Sequence, residues 1–382
     1  MNTRLEEEIP LTTIAQAALA CAMTATAIWG FFAFGGNDFR LFLTDGLAHI
    51  KGEPLYQTDN LNTPSLTALV FGPLARLPYR VAQVVWFLAG VLALVTSFRL
   101  IVSTLALRRK SAIQALAFLL LFRGAFMTFS LGQVGWFVML PGTLAWIAFR
   151  EGRFSTAGAW LGALIALKPT FALTAILLPA PVWIMAGVVS VALTMLGILV
   201  TGWSEWAAWM QIGSAVAWLG HFCNPSLWGV AARLEIGGQR VALSALSWPV
   251  VTAIGLAGGW CAWVAMRTKD PDRRFTLAVL FHALLSPLGW IYYLLPATGS
   301  AIASWPRRWS ATLAFVLLCL PIDLFGTERP WGPLFLATVG SIFVVGVLMA
   351  FATWVSPDGL SQRPRAIGEP REINPPSATV RR

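Results

Sequence analysis

Apolar runs of roughly 20 residues, the length that crosses a bilayer, recur along this chain with short polar breaks between them. No segment alternates apolar and polar positions as a membrane strand does. The pattern therefore predicts an all-α polytopic membrane protein, in which each span satisfies its own backbone groups. The first helix is expected from about Thr12 to Phe34. It is too long for a signal-peptide core and the preceding MNTRLEEEIP lacks a basic leader, so it reads as a retained span. A polar interruption follows from Gly36 to Pro78. Within it, Phe39, Phe42, Leu43, Leu47 and Ile50 recur at helical spacing, and Ser65 to Leu77 forms a second apolar stretch between Pro64 and Pro78. Both are expected to lie in the membrane interface.

Helix 2 is expected from about Val81 to Leu105 and ends at the basic triplet Arg108-Arg109-Lys110. Helices 3 and 4 read as a hairpin turning near Ser130-Leu131-Gly132-Gln133, with Arg150 and Arg153 at its return. The apolar run from Thr156 to Gly202 is too long for one span. Lys168-Pro169 and Pro179-Ala-Pro181 divide it into two short helices and one full one. Residues Trp203 to Arg240 form a Trp-rich loop with Trp203, Trp206, Trp209, Trp218 and Trp228, the composition of an interfacial belt. Further spans are expected at about Val241–Met266, across Phe275–Trp305 with a break at Ser286-Pro287, and at Trp309–Phe325 and Leu334–Trp354. The sum is about 12 helices, with about 11 as the alternative count. They form a single transmembrane domain over residues 1–355, followed by a disordered tail over 356–382.

Composition agrees with this picture and sharpens its orientation. Of the 382 residues, 57% are hydrophobic and only 12% charged, about half the charge of a soluble domain; mean hydropathy is +0.70. The formal charge of +10 does not read as a nucleic-acid footprint, because the cations sit in short loops and in the tail. That is the positive-inside pattern, and it predicts both termini in the cytoplasm and contact of the basic loops with anionic membrane lipid. The exceptions among the 27 Lys and Arg residues are Arg40, Lys51, Arg76, Arg80, Arg123, Lys168, Arg233, Arg240 and Arg329. Cys21, Cys223, Cys261 and Cys319 are scattered with no metal-type or CxxC spacing, so no structural disulfide is expected.

With this topology, polar residues from distant stretches converge on the extracytoplasmic face. Asp38 follows helix 1, Gln133 caps the hairpin and Lys168 sits where helix 5 breaks. His221, Asn224, Ser226 and Arg233 lie in the Trp-rich loop; His282, Ser286, Tyr292 and Tyr293 surround the Ser-Pro break. Such a set suits sugar transfer from a lipid-linked phosphosugar. A carboxylate, Asp38, can take the proton of an acceptor hydroxyl as it attacks the anomeric carbon, and an inverting transfer needs one base and no covalent intermediate. Lys168 and Arg233 are the expected ligands of the departing phosphate. Gln133, His221, Asn224, Ser226, Ser286, Tyr292 and Tyr293 are candidate substrate-binding residues.

Each also has a structural reading. Asp38 pairs with Arg40, Lys168 snorkels, Arg233 anchors a headgroup and Gln133 caps a turn. The histidines pack or hydrogen-bond, and the two tyrosines are interface aromatics. Asp45, Glu53 and Asp59 read as solvated loop charges. A lipid or solute transporter and a catalytically lapsed subunit that binds a lipid carrier are the rival functions. Ionisable groups gathered on one face and the lack of a visible inverted repeat count against transport.

The chain also resembles glycosyltransferase family 87 of the GT-C superfamily, which includes polyprenyl-phosphomannose-dependent mannosyltransferases. The resemblance rests on pieces in the family's order: Asp38-Phe39, GEPLY (Gly52 to Tyr56), TPSLTALVFGPLARLP (Thr63 to Pro78) and LGQ (Leu131 to Gln133). AGAWLGALIALKP (Ala157 to Pro169), NPSL (Asn224 to Leu227) with Arg233 beyond it, and LLSPLGW (Leu284 to Trp290) complete it. It implies a GT-C-like fold at the bacterial cytoplasmic membrane, with Asp38 as catalytic base on the outer face. It also implies a polyprenyl-phosphate hexose donor, most often mannose, a glycolipid or glycan acceptor, and neither metal nor other cofactor. This chain departs from the family at Asn62-Thr63-Pro64-Ser65, where Tyr-Pro-Pro is usual, at Gly135, where Asn is frequent, and at Tyr292-Tyr293, where paired histidines are frequent.

Overall fold

The computed structural model describes residues 11–56, 62–215, 219–221, 224, 226–235 and 243–304, without the side chains of 213–215, 234 and 235. Every regular element among them is helical. In chain order these are α1 (Leu11–Phe34), α2 (Asn37–Lys51), α3 (Pro64–Leu66), α4 (Gly72–Ala75), α5 (Tyr79–Thr104), α6 (Arg109–Leu121), α7 (Arg123–Leu131) and α8 (Gly135–Arg150). They are followed by α9 (Phe154–Leu167), α10 (Ala172–Ile176), α11 (Ala180–Thr201), α12 (Trp203–Ala215), α13 (Leu227–Glu235), α14 (Trp248–Arg267), α15 (Pro271–Leu285) and α16 (Thr298–Ser304). A π-turn, Thr67–Phe71, joins α3 to α4, and 3₁₀ turns at Pro169–Phe171 and Ile291–Ala297 follow α9 and precede α16.

Four of these helices, α1, α5, α11 and α14, are long and apolar enough to cross a membrane; α6 and α7, bent by 60° at Phe122, make a fifth if they form one span. The protein is thus an all-helical, multi-pass membrane protein. The expected spans at Trp309–Phe325 and Leu334–Trp354, the tail, Asp59 and Arg240 lie outside the described residues. The long run after Arg153 divides as its prolines predict, into α9, a short segment through α10, and the full-length α11. At 14 residues, α9 rises only about 21 Å, short of the roughly 30 Å hydrocarbon core. Lys168 therefore sits at a break part-way along this fold.

Close approach of α9 and α11 is written in two glycines one turn apart. A Cβ at Gly158 would lie 2.4 Å from the Val182 carbonyl oxygen, and one at Gly162 would lie 2.7 Å from that of Ala186. Small residues at this spacing let membrane helices pack backbone to backbone. The opposite face of α11 exposes Trp183, Ile184, Val188, Val191 and Leu199, as expected of a lipid-facing surface.

Two carboxylates hold the end of the fold that carries the basic loops. Asp272, in the first turn of α15, accepts from Trp146 Nε1 at 2.8 Å and pairs with Arg150, both on α8. Asp270 caps α15 by accepting from the Arg273 N–H at 2.9 Å, while Arg274 donates twice to the Leu177 carbonyl, at 2.9 and 3.1 Å.

Candidate functional site

Construction of the site begins where α1 ends. Gly35 and Gly36 have φ of +87° and +57°, a region costly for residues with a Cβ, and Gly36 could not carry one without striking the Phe31 ring at 2.5 Å. The turn they make ends α1 and starts α2 two residues later. A helix end leaves its last carbonyls without intrahelical donors, and the first turns of α5 supply them. Gln83 Nε2 donates to the Phe31 carbonyl at 3.0 Å, Arg80 to that of Phe32, and Tyr79 to that of Gly35. The corner that presents Asp38 is therefore locked by side chains from a different helix.

Asp38 lies in the first turn of α2, where the N-terminal end of the helix dipole favours negative charge. Its carboxylate accepts from Gln133 Nε2. Gln133 is placed by Gly132, whose φ of +73° ends α7 and whose carbonyl accepts from Trp86 Nε1 at 3.0 Å. Beside Gln133, a crevice of only about 10 Å³, lined by Trp86, Gly90, Thr128, Trp136 and Phe137 among others, has room for a single water. Arg40 does not pair with Asp38; its guanidinium lies 5.8 Å from the centre of the Tyr79 ring.

Lys168 is the second element. It is buried, 7% exposed, at the point where α9 gives way to the 3₁₀ turn, with extended φ and ψ of −142° and 93°. Its ammonium donates to Asn62 Oδ1 at 2.6 Å. Asn62 is itself 1% exposed and belongs to the loop after α2. That loop is pinned to the break a second time by Thr63 Oγ1, 3.4 Å from the Ala166 carbonyl, and it is braced by Tyr56, whose hydroxyl donates to the Asn62 carbonyl at 2.9 Å. Burial raises the Asp38 pKa to about 6, against the opposing effects of the Gln133 hydrogen bond and the Lys168 charge. Asp38, Gln133, Lys168 and Asn62 thus form one charged cluster, drawn from four separate stretches of chain.

Directly behind Lys168, Thr170 Oγ1 lies 3.0 Å from His282 Nε2. Phe171 and Tyr293 pack on the same imidazole, with ring centres at 4.1 and 5.4 Å, and Tyr292 sits edge-on to Tyr293. Both tyrosines are core residues, 2% and 3% exposed, and not interface aromatics. His282 Nδ1 is buried without a hydrogen-bond partner.

The remaining candidates form a second group centred on Asn224. Its amide donates to the carbonyls of Leu219 and Pro287 at 2.8 and 2.7 Å, and its oxygen accepts from the N–H groups of Gly289 and Ser226 at 3.0 and 3.3 Å. This one side chain staples the Trp-rich loop to the break after α15. Ser226 Oγ accepts from Gly229 N–H at 3.1 Å to start α13, and Ser286 Oγ exchanges bonds with Leu288. Arg233 donates to the carbonyls of His221 and Asn224 at 2.8 and 3.1 Å. His221 faces Trp290 edge-on at 5.3 Å, and burial together with the nearby Arg233 lowers its pKa to about 4.

The structure therefore brings Asp38, Gln133 and Lys168 together, and places His221, Asn224, Ser226, Arg233 and Ser286 in a neighbouring group that organises backbone. Sequence reasoning missed Asn62 as a partner of Lys168 and Thr170 as a partner of His282. A polar residue two positions before Pro64, within the polar interruption after helix 1, was the only signal for Asn62. Asp45 corrects an expectation outright. It is not a solvated loop charge but fully buried on the inner face of α2, since the helical register that turns Phe42 and Leu43 inward carries Asp45 with them. Glu53 is exposed, as expected. Among the described residues, no three His, Cys, Asp or Glu side chains gather as metal ligands do.

A multi-pass helical protein with a half-buried carboxylate and a buried ammonium at its helix breaks is the class that fold and site define. Residues 60–287 match glycosyltransferase family 87, well over half of the chain, and the protein belongs to that family. It matches no curated protein and no solved structure.

Proposed function

We propose that this protein is an inverting, metal-independent GT-C-type glycosyltransferase of about 12 helices, which moves a hexose, mannose foremost, from a polyprenyl phosphate to a glycolipid or glycan. The observation that carries this reading is the Asp38–Gln133 pair set within the field of the Lys168 ammonium. A carboxylate whose pKa burial lifts to about 6 is a stronger base than an ordinary one and is still ionised at neutral pH. In the transfer, the acceptor hydroxyl oxygen bonds to the anomeric carbon from the face opposite the phosphate. Its proton passes to Asp38, and the bond from the anomeric carbon to the phosphate oxygen breaks with its electron pair remaining on the phosphate. Gln133 orients the carboxylate. Lys168 stabilises the departing charge, with Arg233, fixed by two backbone carbonyls, as the second cation. The site faces the outer side of a bacterial cytoplasmic membrane, where lipid-linked sugars serve as donors and both termini lie opposite.

The test uses purified protein in detergent or proteoliposomes with radiolabelled polyprenyl-phosphate mannose and candidate glycolipid acceptors. Wild type transfers label, and Asp38→Asn lowers transfer by at least about 10³-fold while keeping its melting temperature. Full activity in Asp38→Asn removes the catalytic assignment. Movement of lipid between leaflets with no transfer by wild type replaces the enzyme with a flippase, and binding of the lipid phosphate with neither activity identifies a lapsed carrier-binding subunit.

A further inference from the structure

Resting on the reading above, we infer that Asn62 is a specificity-determining residue for the donor: it holds the Lys168 ammonium through a neutral acceptor, so that a lipid phosphate meets a positive charge not closed in a contact ion pair. The observations are independent of one another. Lys168 is buried at a helix break, where an ammonium is costly unless it is paired or used. Among the described residues its contact partner is an amide oxygen at 2.6 Å, which satisfies one N–H and leaves the charge in place. A carboxylate at the same position would have made a closed ion pair, with little left to offer an anion. The carboxylate whose charge reaches Lys168, Asp38, is held instead by Gln133 and acts on Lys168 through its field.

Asn62 is also built to stay where it is. Its carbonyl accepts from Tyr56, its neighbour Thr63 bonds to the Ala166 carbonyl, and Pro64 fixes the next residue at the start of α3. The adjoining segment is locked in turn: a Cβ on Gly46 of α2 would lie 2.5 Å from the Phe71 backbone, and Ser65 packs on Gly197 of α11. The loop therefore delivers one neutral acceptor to one buried cation. Exchange of the amide oxygen for a phosphate oxygen swaps a neutral partner for an anionic one, which strengthens the hydrogen bond.

The experiment measures binding of a polyprenyl phosphate to full-length protein in detergent, together with transfer kinetics, for wild type and for Asn62→Asp, Asn62→Ala and Lys168→Gln. Asn62→Asp keeps a tie to Lys168 but cancels its charge, so it is expected to bind at least about tenfold more weakly and to raise KM more than it lowers kcat. Asn62→Ala removes the tie but leaves the charge, so its binding stays within about fivefold of wild type and kcat takes the loss. A purely structural Asn62 gives the reverse order, with Asn62→Ala worse than Asn62→Asp. That order overturns the inference, and so does wild-type protein that binds no lipid phosphate. If Asn62→Asp does not fold, Asn62→Ala is compared with Lys168→Gln: retained binding supports the inference, and loss equal to that of Lys168→Gln overturns it. The expected order of binding without any sugar transfer sinks the transferase reading and leaves the inference standing.

Discussion

At the level of the residue, Asp38 has a pH signature that separates a base from a structural carboxylate. Its pKa is raised to about 6, with burial as the largest cause. Transfer by wild type is therefore expected to fall as pH drops through 6, approaching tenfold per unit below it. The acidic limb of kcat/KM against pH reads this directly, and Asp38→Asn should lack it at whatever residual rate survives. Linkage gives the sign for stability. The folded state holds the Asp38 proton more tightly than the unfolded state does, so this group contributes most stability below pH 4 and loses that contribution as pH rises to 6. Above pH 6, then, Asp38→Asn is expected to melt no lower than wild type. A clear drop in melting temperature at pH 7.5 would mean that the carboxylate is part of the scaffold. His221, whose pKa is lowered to about 4, is neutral throughout this range and contributes no limb of its own.

At the level of the element, the break at Lys168 depends on α9 and α11 lying against each other. Gly158 and Gly162 permit this by leaving no Cβ between the two backbones. Gly162→Val is expected to cost about 1–3 kcal/mol, read as a lower melting temperature and a loss of donor binding larger than that of an exposed change such as Gly187→Val, where a Cβ meets open space. Equal effects at the two positions would refute the close-packing role. Much at this level was legible in the sequence. Proline placed the divisions of the Thr156–Gly202 run, and α1, α2 and α5 fall close to where the apolar periodicity puts them. What it concealed has a physical reason: periodicity reports which face of a helix is apolar, not what that face meets. Asp45 illustrates it, a charge carried into the core by register. Tyr292 and Tyr293 illustrate it again, for aromatic residues near a membrane interface and aromatic residues in a core look alike along the chain.

At the level of the whole molecule, the cluster is made by ties between distant stretches. Asp38 meets Gln133 across 95 positions, Lys168 meets Asn62 across 106, and Leu55 N–H meets Glu205 across 150. The sequence presented the polar residues but not these pairings, because each forms only after the helices carrying it have packed. It does make one global commitment, through charge, and predicts that the loop containing Asp38 and Asn62 lies opposite the loops containing Arg109 and Arg150. Glu53 and Glu151 are exposed positions in these two sets of loops, so single cysteines there, in a background lacking Cys21, Cys223, Cys261 and Cys319, test it. A membrane-impermeant maleimide applied to intact cells is expected to label Glu53→Cys, and to label Glu151→Cys only after permeabilisation. Labelling of both in intact cells would put the two loops on one side and break the topology. The reverse order would keep the packing and the Asp38–Lys168 cluster but turn the site inward. A donor confined to the outer leaflet would then be out of reach, and the chemistry would need a sugar supplied from the cytoplasm.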